Sequence, residues 1–192
     1  MKSEKTKEKI IQQTILLIEE CDGNIADITI RKIAERAKVG IGLINHYFIS
    51  KDYLIEICVQ SIIKNVVHSF KIANCAGKNP REITQYVAKQ VMDFLMENKE
   101  ISRISILGDL NLPKEEDNSF HTAFGFAYCM SGGINPEKKM KSAFFLVALL
   151  QGSFLRKDVL NKKIDIDFYD KNQRDKYIGD IVSMIMEGNI NE

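Results

Sequence analysis

Residues 29–51 read TIRKIAERAKVGIGLINHYFISK. Thr29 suits a helix N-cap, because its hydroxyl can accept a free backbone N–H. Ile30, Ile33, Ala34 and Ala37 then form the buried stripe of a short helix, with Arg31, Lys32, Arg36 and Lys38 left outside. Val39-Gly40-Ile41-Gly42 reads as a tight connection, and a third helix covers about 41–47. Ser50 caps a fourth helix that runs from Lys51 to about Ala73. The window holds five basic residues against one acidic, a surplus of four in a chain whose net charge is +1. Such a local excess is what phosphate contact requires. A capped helix, a glycine-bearing turn and a short second helix make a helix-turn-helix, whose front residues can reach base edges in a major groove.

Working outward, residues 4–21 carry Ile10, Thr14, Leu17, Ile18 and Cys21 at helical spacing, and Asp22-Gly23-Asn24 ends that helix. Asn79-Pro80 starts a helix to about Asn98, asparagine as cap and proline in the first turn. Another helix lies near 100–110, a polar loop over 111–118, and an aromatic-rich helix over 119–131, stopped by Ser131-Gly132-Gly133. Asn135-Pro136-Glu137 repeats the start signal for a helix to about Asp158. Residues 162–170 read as polar and irregular, and a final helix covers about 172–187. No alternating pattern supports a sheet, so the fold class is all-α with about nine helices.

The length of 192 residues fits a DNA-sized module of roughly 50 residues and a larger helical body. The composition, 45% hydrophobic and 28% charged, is that of a globular protein. The longest apolar run, residues 143–150, is far short of the ~20 residues of a spanning helix. The charged first nine residues have no apolar core behind them and do not read as a signal peptide. A cytoplasmic protein without a membrane partner is expected. The Lys/Glu alternation at 2–9 reads as a solvated helix start with i,i+4 pairs, or alternatively as an extra phosphate-touching arm. Cys21, Cys58, Cys75 and Cys129 include no C-x-x-C pair and read as reduced, mostly buried thiols, with a redox switch at Cys75 left open. His46, His68 and His121 are not at metal-ligand spacing, and no zinc-protease helix, phosphate loop or nucleophile elbow is present. The expectation is no metal, no cofactor and no enzyme.

The segment closely resembles the TetR/AcrR signature of bacterial transcriptional regulators. The matching elements are Thr29, Arg31, Ile33-Ala34, Ala37, Val39, Gly42, Ile44, His46-Tyr47-Phe48 and Ser50-Lys51. They cover about a quarter of the chain. The resemblance implies a helix-turn-helix DNA-binding domain over residues 1–50 and a helical ligand-binding and dimerisation domain over 51–192. It implies that Thr29 holds a phosphate and that Arg31 reaches a phosphate or a base. Ile41, Gly42, Leu43 and Asn45 would face the groove floor, His46 and Tyr47 would touch backbone or bases, and Lys51 would bind a phosphate. Ile44 and Phe48 would be core, and Tyr47 could alternatively staple the motif to the fourth helix. The sequence departs from the family at Gly40, where serine is common and which belongs to the same DNA-facing set. It departs again at Leu43, where threonine or serine is common, and at Asn45, where an aromatic is common. Asn45 can pair bidentately with adenine, and Ile41 and Leu43 can contact thymine methyls, so an A·T-rich operator is expected.

The resemblance further implies a homodimer through the last two long helices, about 136–158 and 172–187. The all-round apolar run at 143–150 supports this, since a helix buried on every side needs a cover. A central core helix in a monomer is the alternative. A ligand cavity would draw on His68, Phe94, Asp109, Phe120, His121, Phe124, Tyr128 and Gln151. The function implied is a repressor released from a palindromic double-stranded DNA operator by a small-molecule effector, with the fourth helix as lever. Two other classes compete: a DNA-binding structural or interaction protein on the same fold without a ligand, and a thiol-based redox regulator.

Overall fold

A computed structural model describes residues 2–21, 24–69, 77–132 and 134–187; the side chains of residues 2 and 67–69 lie outside that description. These residues form α1 (Lys2–Glu20), a 3-10 turn (Ile25–Asp27), α2 (Ile30–Ala37), α3 (Ile41–Tyr47), α4 (Lys51–Ser69), α5 (Pro80–Glu97), α6 (Lys99–Asn111), α7 (Asn118–Cys129), α8 (Pro136–Leu155), α9 (Lys157–Ile164) and α10 (Lys171–Glu187). The fold is all-α, as expected. Two compact units divide the chain, one of residues 1–68 and 98–113, the other of 69–97 and 114–192. Among the described residues no helix is long and apolar enough to cross a membrane.

The first unit holds the helix-turn-helix. Ile10 and Ile18 of α1, Ile33, Ala34 and Ala37 of α2, Ile44 of α3 and Leu54, Cys58 and Val59 of α4 are buried, and Phe48 is buried between α3 and α4. Full burial of an isoleucine, leucine or phenylalanine contributes roughly 1.5–3 kcal/mol. Ser50 caps α4 by accepting from Tyr53 N at 3.0 Å. A polar seam joins α4 to α6: Gln60 Nε2 donates to Ser105 O at 3.1 Å and Asp109 Oδ1 at 3.0 Å, and Ser105 Oγ donates to Gln60 Oε1 at 3.0 Å. A Cβ on Gly108 would stand 2.8 Å from Gln60 Nε2 and 2.9 Å from Glu56 Oε1, so those side-chain ends would have to shift to admit one. Glu100 of α6 accepts from Ile25 N at 2.9 Å, which ties α6 to the 3-10 turn that leads into α2. Where that turn, α4 and α6 meet, a groove of about 750 Å³ has apolar lining from Ile25, Ile55, Ile104 and Leu107 and charged lining from Lys51, Glu56, Glu100 and Arg103.

In the second unit, α5 begins with a capping box in which Asn79 Oδ1 accepts from Glu82 N and Glu82 Oε2 accepts from Asn79 N. Asn135 caps α8 through Glu137 N at 2.9 Å. Met92, Phe126, Leu146, Leu150, Phe154, Phe168, Ile178 and Val182 form the core. The sequence reading of one helix to Asp158 followed by irregular chain is corrected here. Arg156 N turns back to Gly152 O and Ser153 O, both at 3.2 Å, which closes α8 at Leu155. Residues 157–164 then form α9, which buries none of its side chains and so left no apolar stripe to read. The expected end of the fourth helix near Ala73 lies outside the described residues. Cys58 and Cys129 are buried and Cys21 half-buried. Burial pushes the Cys58 thiol up to about 12, far from thiolate reactivity. Cys75 lies outside the described residues.

Candidate nucleic-acid interface

Two faces of α3 differ sharply. Ile44 is 1% exposed, whereas Ile41 is 40% and Leu43 36% exposed. Gly42, Asn45 and His46 are exposed with them. The helix therefore turns a mixed apolar and amide surface outward and anchors itself through Ile44 and, beyond its end, Phe48. The side chains of Arg31 and Asn45 are exposed and make no hydrogen bond or ion pair among the described residues. His46 packs its ring edge-on to Tyr47, with centroids 5.3 Å apart.

The five cations of the segment serve different ends. Lys32 Nζ donates to Asp27 O at 3.0 Å and closes the 3-10 turn. Arg36 grips both carboxylate oxygens of Glu20 on α1, at 2.6 and 2.5 Å. Those hydrogen bonds hold the Glu20 carboxyl below the ordinary carboxylate range and raise the Arg36 guanidinium above its own. Arg31 and Lys38 stand exposed. Lys51, at the start of α4, pairs with Asp52, at 3.9 Å.

Thr29 accepts from Lys32 N at 3.2 Å, so its oxygen caps α2 while its hydroxyl proton stays available. Tyr47 is half-buried, and its hydroxyl lies 3.0 Å from Ser3 Oγ. The Tyr47 hydroxyl thus ties the end of α3 to α1.

The tight connection is built differently from the sequence reading. Gly40 is the extended N-cap of α3 at φ −73°, ψ 146°, and Gly42 is within the helix. A Cβ at either position would meet nothing within 4 Å. The left-handed residue is Lys38, at φ 54°, ψ 50°. Val39 N donates to Ala34 O at 3.0 Å and Lys38 N to Glu35 O at 3.2 Å. These are the paired bonds of a Schellman close, where glycine is usual because a Cβ costs roughly 1–2 kcal/mol. Ser3, Glu20, Lys38 and Glu100 were the positioning residues that sequence reading missed. Only Lys38 carried a local signal, as the last residue before the turn.

The residues expected around a ligand fall in both units. In the second unit Phe120 stacks on Phe144 at 5.2 Å, His121 Nδ1 lies 2.9 Å from Asp117 O, and Gln151 Nε2 donates to Ser119 Oγ at 2.9 Å. Phe94 is half-buried on α5, while Phe124 and Tyr128 are exposed on α7. Asp109 belongs to the first unit, where it is buried and accepts from Gln60. The His68 side chain lies outside the description.

The sequence profile described as bacterial regulatory proteins, tetR family, matches residues 22–58, a span that takes in α2, α3 and the start of α4. This segment is thus similar to the helix-turn-helix segment of TetR-family regulators. Over 173 residues the chain is 28% identical to HTH-type transcriptional regulator BetI 1 of Chromohalobacter salexigens, with 84% of this chain and 83% of the relative covered. In fold it is similar to a TetR transcriptional regulator from Rhodococcus sp. RHA1, with a TM-score of 0.65 at 16% identity over the whole of both chains. A second transcriptional regulator from that organism aligns with a TM-score of 0.59 at 15% identity, covering 95% of this chain and 97% of the other. The relatives that the chain resembles are transcriptional regulators. The TetR family binds operator DNA and typically dimerises.

Proposed function

We propose that this protein is a TetR-family repressor that a small-molecule effector releases from a palindromic operator. The exposed face of α3, bracketed by Arg31 and Lys51, carries the DNA part of this reading. Thr29, Arg31 and Lys51 take phosphates, with His46 and Tyr47 beside them. Gly40 leads the chain into the groove, and Gly42 lets backbone approach the bases. Ile41 and Leu43 meet thymine methyls, and Asn45 reads adenine. Replacing Asn45 with alanine is expected to cost about 1–3 kcal/mol at one base position of the operator, measured by anisotropy on a panel of single-base variants. An equal loss on every sequence would contradict the adenine assignment.

Dimerisation through α8 and α10 is supported by the outward stripe of α8. Residues 141, 144, 145, 148, 149 and 152 follow helical spacing on one face, apolar from Phe144 to Leu149, and Met184 of α10 is also exposed. For the effector, Phe94, Phe120, His121, Phe124, Tyr128 and Gln151 of the second unit offer aromatic walls and a few polar groups, which suits an apolar or amphipathic molecule. Release then follows from linkage: the effector weakens operator binding by its differential affinity for two dimer states. A reporter fused to the promoter beside the chain's own reading frame tests this. Deleting the regulator raises output if it represses; a fall would make it an activator.

A further inference from the structure

Lys38 holds a backbone conformation that glycine would fill without strain, at the point where the chain enters the recognition helix. Among the described residues the only other non-glycine residue at positive φ is Asp165, at the end of α9. The Lys38 side chain is exposed, and no hydrogen bond or ion pair engages its ammonium among the described residues. Its neighbours contrast with it. Lys32 is spent on Asp27 O and Arg36 on Glu20, so both are drawn into holding the fold.

We propose that Lys38 is a DNA phosphate contact, so that each subunit neutralises phosphates with Arg31, Lys38 and Lys51 while Lys32 and Arg36 serve the fold. The inference rests on reading α3 as the recognition helix. Lys38 lies two residues before the α3 N-cap, in the backbone that delivers that helix to DNA. A free cation kept at a strained position beside the interface fits a demand for its charge. The competing role is local: a cation beside the last carbonyls of α2 favours the helix dipole.

The test uses the full-length dimer, a mixed-sequence duplex and the duplex from its own promoter, because phosphate contact is independent of sequence. Lys38→Gly, Lys38→Arg and Arg31→Ala are compared with wild type over a salt series, with thermal melting alongside. Lys38→Gly removes the charge while suiting the backbone, so it separates DNA contact from folding. The expected result is an unchanged or higher melting temperature for Lys38→Gly, a roughly 3–10-fold weaker affinity on both duplexes, and a salt slope shallower by about 2 per dimer. Lys38→Arg should restore the slope. An unchanged affinity and slope for Lys38→Gly, with Arg31→Ala still lowering both, overturns the Lys38 assignment alone and leaves the dipole role. Indifference of both variants, or no binding by wild type, overturns the recognition-helix reading and the Lys38 assignment with it.

Discussion

Phe145→Asp should turn the proposed dimer into a monomer and weaken operator binding by roughly 10²–10⁴-fold, the loss expected when two linked contacts become one. Phe145 is 58% exposed on α8, and Phe144 and Leu149 beside it are 39% and 43% exposed, while Leu146, Val147 and Leu150 on the other face are buried. A helix with that distribution has satisfied only half of its apolar surface within its own chain. On the proposed reading a second copy would cover the other half in a self-complementary contact. A carboxylate in that contact carries a desolvation cost of several kcal/mol per ion, and both copies introduce one. Sedimentation at micromolar concentration and anisotropy on operator DNA give the two readouts. A variant that remains dimeric with full affinity would place the dimer contact elsewhere.

The second large effect is expected at Asp93. Arg174 has a side chain only 8% exposed; it donates to Asp93 Oδ1 at 2.5 Å and to Phe168 O at 2.6 Å. Its Nε is buried without a partner. Lys171 donates to the other Asp93 oxygen at 2.5 Å. This carboxylate therefore clamps α10 to α5 and neutralises a buried guanidinium. Asp93→Ala leaves that charge unpaired, which costs about 3–5 kcal/mol, a large part of an ordinary folding free energy. Urea unfolding at neutral pH measures it; a loss below about 1 kcal/mol would mean that water reaches the guanidinium and that the clamp is dispensable. Acid should show the same group. Burial raises the Asp93 carboxyl, but the hydrogen bonds and charges of Lys171 and Arg174 outweigh it and hold it below its ordinary value of 3.8. A depressed carboxyl contributes stability that is present above the unfolded value and lost as pH falls through the folded one. Wild type should thus lose stability below about pH 4 more steeply than Asp93→Ala does.

What could be read from the sequence was local. The Thr29 cap, the Ser50 cap, the span of α3 and the Asn-Pro starts of α5 and α8 each depend on neighbours within four residues, and each stands where the reading placed it. The buried role of Ile44 and Phe48 was implied by the resemblance to the TetR signature, and both are buried. Contacts that position the interface were not legible, because they join distant parts of the chain. Ser3 meets Tyr47 across 44 residues, and Glu100 meets the Ile25 amide across 75. Arg36 looked like a DNA cation until Glu20, 16 residues away, was seen to hold it. Two glycines drew the turn toward residues 40–42, although the left-handed residue was the lysine before them. Helix α9 was missed because periodicity reports burial, and α9 buries nothing.

The central claim is that residues 29–51 form a DNA-reading surface, and the most direct measurement is fluorescence anisotropy of the dimer on its promoter-proximal duplex across a salt series. Counting Arg31, Lys38 and Lys51 in both subunits as six phosphate contacts predicts a slope of about −5 in log affinity against log salt. Arg31→Ala and Lys51→Ala should each make that slope shallower by about 2 and weaken binding. A slope near zero, or binding indifferent to both substitutions, would contradict the account and mean that the helix-turn-helix is not the DNA contact.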